Sequence, residues 1–313
     1  MQGTTCLAIA DREVRRNIDT LVANTSEKST RIGYMFWYYI PKGYTDRDVA
    51  DMAFRQSGLP EEYRFPDIRA VDAYRRASKS IEGRTDLADQ NKVQLLVRDV
   101  WHNKDEVVRH LVVEMKDVSG HRLHYDAKAA MLRFDRNHEM VDTEVYNTEP
   151  YVVDAVHAFE QNYPLYLTTY DSAAKRRVAL NVLKDLTAAP LKESGGVYLV
   201  PRTHEELLFQ LAAFIRGLPG CNEYKMPVED TAEARDVVRD IVTNNAQAAL
   251  SELRAALQAD DIPDERVQDL LARARQIRKE VDVYQGILKE SIGSLETDVE
   301  LLEVQMMTLI DRL

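Results

Sequence analysis

The hydrophobic positions along the chain form three kinds of pattern, and each predicts a different kind of structure. Short apolar and aromatic runs, such as "YMFWYYI" at 34–40 and "VYLVP" at 197–201, predict buried strands because they are rich in strand-forming residues. Between residues 93 and 146 apolar and charged residues alternate, which predicts an antiparallel meander with one face buried and one in water. From residue 231 onwards apolar residues recur every three or four positions, which predicts long amphipathic helices.

Together these patterns predict an α+β fold, with an antiparallel sheet and flanking helices, followed by a C-terminal helical hairpin or coiled coil. The predicted α+β body covers residues 1–230, and the predicted helical hairpin and coiled-coil tail covers residues 231–313. Within the body, residues 151–186 are predicted to be helical with an interruption at Pro164.

Two strand–helix segments of the body, residues 32–60 and 195–219, resemble each other. Each strand ends at a proline, Pro41 or Pro201, each helix has a phenylalanine 13 positions after that proline, and each helix stops at Gly-Leu-Pro. "EYRFP" follows the first helix and "EYKMP" follows the second. The pattern fits an internal duplication, and it also fits helix start and stop signals that arose independently in the two segments. The predicted capping boxes at the two helix starts are Thr45 with Asp48 and Thr203 with Glu206.

The double glycine at 195–196 raises the question of a phosphate-binding loop. Such a loop needs its glycines between a strand and the following helix, so that backbone N–H groups meet the anion at the helix N-terminus. Here the glycines precede the strand, and the strand-to-helix joint is "VPRTH". The sequence therefore predicts a turn at this position and no nucleotide cofactor.

The last fifty residues carry a heptad pattern of apolar or small side chains. Its first part can close as an antiparallel hairpin against the helix before it. Its second part, after a phase shift near Gly286 and Gly293, has a seam without a partner of its own, so it must pack on the body or on another chain. The predicted seam residues are Leu288, Ile292, Leu295, Val299, Leu302, Met306 and Leu309.

Composition and charge narrow the class of protein. The chain has 313 residues, 45% of them hydrophobic and 30% charged, so it can bury a large core. Its formal net charge of -11 argues against broad, sequence-independent binding to nucleic acid, although a local basic groove is still allowed. No apolar run is long enough to span a membrane and no signal peptide is recognisable. The two cysteines, Cys6 and Cys221, form no framework, which fits the cytoplasm.

Candidate catalytic chemistry is weak. His121 and His124 lie three positions apart, so on a strand they point to opposite faces and make a poor metal site. Asp142 and Glu144 share a strand face and could serve a two-metal nuclease. A solvated edge strand explains these two carboxylates equally well. We predict no catalytic residue, no metal site and no cofactor, and the sequence favours a protein that is not an enzyme.

Basic groups on predicted helices, together with the aromatic run at 34–39, keep nucleic-acid binding as the alternative. Aromatic rings stack on bases, and basic side chains contact phosphates. Each basic group is also compatible with a solvated helix face. The candidate residues are Arg75, Arg76, Lys175, Arg176 and Arg177.

The order "LKESGGVYLVPRTHEEL" after an amphipathic helix, with "DAYRRA" upstream, resembles an uncharacterised group of bacterial and phage proteins. The resemblance covers roughly residues 30–215 and centres on the motif Gly-Gly-Val-Tyr-apolar-Val-Pro. It implies no activity and no catalytic residue. The leading hypothesis from the sequence is a non-enzymatic assembly or adaptor protein that self-associates or docks through its C-terminal helices.

Overall fold

The structure is a computed structural model that describes residues 31–86, 92–117, 119–191, 196–257 and 264–288, together with Thr297, Glu300 and Val304. Its strands are β1 (Arg31–Tyr39), β2 (Tyr44–Asp46), β3 (Gly83–Asp86), β4 (Lys92–His102), β5 (Glu106–Lys116), β6 (Arg122–Asp135), β7 (Met140–Val145), β8 (Thr169–Asp171), β9 (Ala189–Pro190), β10 (Val197–Pro201) and β11 (Asn222–Glu229). Its α-helices are α1 (Arg47–Ser57), α2 (Ala70–Ser80), α3 (Pro150–Thr168), α4 (Ser172–Asp185), α5 (Glu205–Gly217), α6 (Ala232–Leu257) and α7 (Asp264–Leu288).

The α+β class and the antiparallel sheets predicted from the sequence are confirmed. The strands form sheets of order β11-β1-β10-β9, β2-β8 and β3-β4-β5-β6-β7, with antiparallel pairing throughout the described residues. The described residues divide into two compact units. The first unit contains residues 31–41, 52–64 and those from 175 onwards, and the second contains residues 42–51 and 65–174. The boundary at residue 230 stays a prediction.

In the first unit, α6 and α7 pack on one face of the sheet β11-β1-β10-β9. Ile32 of β1 and Leu199 of β10 are buried in the same cluster as Val242 of α6 and Ile277 of α7. On the other side of β1, the ring of Tyr34 meets Phe209 of α5 edge-to-face, 5.5 Å between centroids. The sheet of this unit is therefore covered by helices on both faces over part of its area, which explains the continuous apolar run of β1.

The parts of the two similar strand–helix segments that belong to the first unit contact each other. β1 pairs with β10 in a register that aligns Trp37 with Val197, each four positions before the proline that ends its segment's strand. The corresponding Phe54 and Phe214 also contact each other edge-to-face, with ring centroids 6.2 Å apart. Contacts between equivalent residues are what a two-fold axis relating the segments requires. Duplication stays a prediction, because after the helices the segments diverge into a 3-10 turn at Glu61–Tyr63 and the strand β11.

The second unit is built on the five-stranded sheet β3-β4-β5-β6-β7, in which neighbouring strands follow each other along the chain. Helices α2 and α3 cover one face, where Leu111 of β5, Leu132 of β6 and Phe159 of α3 are buried in one cluster. Tyr74 of α2 is fully buried there and donates a hydrogen bond of 2.9 Å to the carbonyl oxygen of Leu132. The alternation of apolar and charged residues follows from this one-sided covering.

Three local predictions are wrong. Asp46, not Thr45, caps α1, because its Oδ1 accepts hydrogen bonds from the backbone N–H groups of Asp48 and Val49 at 2.8 and 3.4 Å. The start of α5 has no side-chain cap and follows a 3-10 turn, so the predicted box with Thr203 does not form. Finally, α3 continues through Pro164, and the helical region is interrupted by the short strand β8 instead.

Candidate functional site

The heptad stripe of α7 is buried within its own chain. Its side chains pack with an apolar stripe of α6 and with the sheet of the first unit. The predicted seam residue Leu288 belongs to this internal cluster and is only 1% exposed. The buried stripe residues of α7 are Leu270, Ala274, Ile277, Val281, Tyr284 and Leu288, and those of α6 are Val238, Val242, Ala246, Ala249 and Leu250.

Two polar contacts fix α7 against the rest of the first unit. The fully buried Tyr284 places its hydroxyl 2.9 Å from the carbonyl oxygen of Leu199 and 3.1 Å from that of Thr187. Burial raises the pKa of Tyr284 above its ordinary value, so the hydroxyl stays protonated and can donate. At the C-terminal end of α7, Arg235 donates to the carbonyl oxygen of Leu288 at 3.0 Å and forms an ion pair with Asp230. The helix is therefore anchored at both positions.

Beyond Leu288 the structure describes three residues, and they are helical and exposed. Thr297, Glu300 and Val304 lie opposite the predicted stripe of residues 295–309 when placed on a helix with 3.6 residues per turn. Val304 is 60% exposed, and a carboxylate oxygen of Glu300 lies 3.7 Å from the guanidinium of Arg278 on α7. The remaining predicted seam residues lie outside the described residues, namely Ile292, Leu295, Val299, Leu302, Met306 and Leu309.

Two of the five basic candidates for nucleic-acid binding lie on α2 in the second unit. Arg75 is exposed and has Asp72 within 3.5 Å. Arg76 is half-buried, donates a 2.7 Å hydrogen bond to the carbonyl oxygen of Tyr166 and lies over the ring of the same residue. Its guanidinium also lies 4.0 Å from Asp171. Arg76 is thus part of the packing of this unit.

The other three basic candidates lie on α4 in the first unit. Lys175 is 2% exposed and therefore cannot reach a phosphate at the surface. Arg176 is half-buried and donates a 2.6 Å hydrogen bond to the carbonyl oxygen of Ile40. Of the three, Arg177 alone is exposed. Local charge patterning did not reveal that Lys175, the first residue of this basic group, is buried.

The aromatic run of β1 is divided between the core and the surface. Tyr34 and Phe36 are buried, whereas Tyr39 is 58% exposed. Trp37 is half-buried and stacks on Tyr224 of the edge strand β11, with centroids 5.5 Å apart. Most of the run that was a candidate for base stacking is therefore used in packing within the first unit.

The histidines and carboxylates of the meander do not converge. His121 and His124 are exposed, and in the described part of the chain no three His, Cys, Asp or Glu side chains are placed to hold a metal ion. Asp142 and Glu144 are exposed on β7, the edge strand of the sheet. This arrangement supports a solvated sheet edge.

A surface that the sequence did not single out is the face of the meander opposite α2 and α3, here called the outer face. Leu111 and Leu132 point to the helices, so their strand neighbours His110 and Met131 lie on the outer face. A bulge after Asp99 pairs Trp101 with Val108, which brings the indole to the outer face as well. A row here is a set of residues that pair with one another across neighbouring strands and place their side chains on the outer face. From one end of the sheet to the other, the rows are Trp101, Val108, Arg133 and Asp142; then Arg98, His110, Met131 and Glu144; then Leu96 and Val112; then Arg84, Gln94, Glu114 and Tyr125; and finally Lys92, Lys116 and Arg122.

Glu114 organises one end of the outer face. It is 7% exposed, accepts a 2.7 Å hydrogen bond from Nε of Arg122, and lies 3.2 Å from the ammonium group of Lys116. The hydrogen bonds from Lys116 and Arg122 hold the pKa of Glu114 below its ordinary value, so it remains a carboxylate. Arg122 also lies over the ring of Tyr125 at 5.2 Å. Basic and aromatic groups are thus held together on this surface.

The fold and the exposed surfaces define an α+β protein with three antiparallel sheets, of four, two and five strands, and without a metal-holding group of His, Cys, Asp or Glu among the described residues. The chain belongs to the Family of unknown function (DUF6744), whose model matches residues 31–313. No curated protein and no solved structure matches it. Within the described ranges, no helix combines the length and the apolar character that crossing a bilayer requires.

Proposed function

We propose that this chain is a non-enzymatic assembly or adaptor protein of a bacterial or phage system that self-associates through its C-terminal helices. The observation that carries the proposal is that the apolar stripe of α7 is already buried against its own chain. From Leu270 to Leu288, the buried side chains of α7 already have partners in α6 and the sheet. The apolar pattern continues after Leu288 in the sequence, so the later stripe needs a further surface to cover it.

The energetics favour a covered stripe. Fully burying a Leu, Val or Met side chain is worth about 1.5 to 3 kcal/mol, so five such residues between 295 and 309 favour burial strongly. The described residues on the opposite side of this segment, Thr297, Glu300 and Val304, are exposed, as expected for a helix that contacts a partner along one side. A second copy of the chain offers the same seam, and paired seams can cover each other.

We expect the double substitution Leu302→Asp with Leu309→Asp to convert the assembled protein to monomers. Two carboxylates in the seam would have to be desolvated on association, which costs more than the contact returns. Native mass spectrometry and light scattering of the full chain at tens of micromolar measure the effect. The wild-type chain is expected to be an oligomer, and the double variant a monomer with an unchanged circular dichroism spectrum.

The matched control is Val304→Asp. It introduces the same side chain into the same segment, but Val304 is 60% exposed on the opposite side, so the oligomer should persist. A monomeric wild-type chain at these concentrations contradicts self-association. So does a double variant that keeps the wild-type mass, or a control variant that dissociates as completely as the double variant.

A further inference from the structure

The outer face of the meander carries an uneven distribution of charge. Basic side chains predominate on β3, β4, the end of β5 and the start of β6. The carboxylates Asp142 and Glu144 lie on β7 at the opposite edge, and Glu106 and Asp135 pair with each other in the row next to Trp101, where Glu106 lies 3.9 Å from Arg133. Near the basic edge Glu114 is already bonded to Lys116 and Arg122, and the backbone of Asp86 pairs with that of Lys92. The basic residues of this region are Arg84, Lys92, Arg98, Lys116 and Arg122. Positive groups therefore remain in excess locally on a chain whose formal charge is -11.

Exposed rings accompany these charges. Trp101 is 55% exposed and Tyr125 is 50% exposed, both on the outer face. The row of Tyr125 is the third after the row of Trp101. Because neighbouring rows on one face are two residues apart along a strand, or about 6.7 Å, the two rings are separated by roughly 20 Å along the strand direction. About half of each side chain is therefore available to a ligand that stacks on aromatic rings.

We infer that the outer face binds single-stranded nucleic acid along β4 and β5, with phosphates near Arg84, Lys92 and Arg98 and bases stacked on Trp101 and Tyr125. An antiparallel sheet that presents rings and basic groups on one face, with helices on the other, is a platform for unpaired bases. The length of about 20 Å fits within sites of roughly 4 to 16 nucleotides. This inference is independent of the proposed assembly through the C-terminal helices.

A single strand suits this surface better than a duplex. The rings can stack only on bases that are unpaired, and a flat sheet face does not enter a DNA groove. The basic region is local, and the acidic edge on β7 together with the negative charge of the whole chain disfavours a ligand with phosphates on both sides.

Tryptophan fluorescence gives a direct test, because the chain contains two tryptophans, Trp37 and Trp101. In the Trp37→Phe variant of the full chain, Trp101 is the only indole, and its emission should be quenched when oligo(dT) or oligo(rU) of about 20 nucleotides is added at low salt. In the matched Trp101→Phe variant, Trp37, which stacks on Tyr224 within the first unit, should show no quenching. Trp101 emission that does not change on addition of the oligonucleotide overturns the inference. A face that docks a protein instead would give this result.

Affinity measurements with labelled oligonucleotides locate the phosphate-binding side chains. Arg84→Glu with Lys92→Glu should weaken binding at least about tenfold and reduce the slope of log affinity against log salt by roughly 0.7 for each phosphate that is no longer neutralised. The control Arg75→Glu with Lys79→Glu changes the net charge equally, but on α2, beyond the other face of the sheet, and should preserve affinity and slope. Equal losses of affinity in the two variants, or tighter binding of a duplex than of its single strands, would reject a site on the outer face.

Discussion

Replacing Tyr284 by alanine is expected to lower the free energy of unfolding of the first unit by about 3 to 5 kcal/mol. Tyr284 of α7 is 0% exposed and is buried in one cluster with side chains of α6 and the sheet, so truncation leaves a large cavity. The substitution also removes a hydroxyl that lies within hydrogen-bond distance of two main-chain carbonyl oxygens, those of Thr187 and Leu199.

The turn at Thr187 increases the expected loss of stability, because its backbone conformation is unfavourable and depends on hydrogen bonds. Thr187 has a positive φ of 48°, which is unfavourable for a β-branched residue and follows the end of α4. Its own backbone N–H donates to the carbonyl oxygen of Lys184 at 3.2 Å, and that of Ala188 donates to the carbonyl oxygen of Leu183 at 3.1 Å. The Tyr284 hydroxyl adds a third hydrogen bond that holds this turn in place.

Urea unfolding in a Trp101→Phe background measures the effect, because Trp37 then reports on the first unit alone. The midpoint should fall by more than about 1 M for Tyr284→Ala. Tyr284→Phe is the matched control, since it keeps the ring and loses only the hydroxyl, with an expected cost of about 1 to 2 kcal/mol. A Tyr284→Ala midpoint close to that of the wild type would show that α7 is not packed as described.

Replacing Gly33 by alanine is expected to destabilise the first unit by about 3 kcal/mol, the upper end of the range for overpacking. A Cβ atom at Gly33 would lie 2.2 Å from the carbonyl oxygen of Val200, 3.1 Å from its carbonyl carbon and 3.2 Å from Cα of Pro201. These atoms belong to the backbone of the paired strand β10, so no side-chain rotation relieves the clash. The pairing of β1 with β10 must open, and with it the core on both faces.

Gly83→Ala is the matched control, because a Cβ atom at Gly83 meets no atom within 4 Å. Gly83 lies on the edge strand β3, where the substitution should change stability by no more than about 1 kcal/mol. Urea unfolding followed through Trp37 for the first variant and through Trp101 for the second reports each unit separately. If Gly33→Ala unfolds at the wild-type midpoint, the close approach of β1 and β10 is wrong.

Much of the secondary structure was predictable because its signals are local. The β-branched and aromatic residues of β1, the alternation at the start of β4 and the stripe that begins α7 are all features of the element itself. The failures also have local causes. The cap moved from Thr45 to Asp46 because either side chain can accept from the helix N–H groups, and only the geometry selects one.

The candidate surfaces depended on information that the sequence does not carry. By strict alternation Trp101 would share a face with Asp99, and the bulge between them reverses its side of the sheet. Lys175 looked like a member of an exposed basic group on α4, yet it is 2% exposed in the first unit. The periodicity of one element shows that it has two different faces. Which of these faces is exposed to water depends on where the other elements pack.

By itself, the sequence determined the α+β class, the strands of the meander and the apolar stripes of α6 and α7, because side-chain spacing along one element fixes its local structure. Tertiary structure alone decided that the stripe of α7 is covered by its own chain up to Leu288, and that the outer face of the meander gathers basic and aromatic side chains. Both results depend on contacts between distant residues, such as the Tyr284 hydroxyl and a carbonyl 85 positions earlier. Register, bulges and packing partners are set by the summed energy of the whole core and not by any single stretch of sequence.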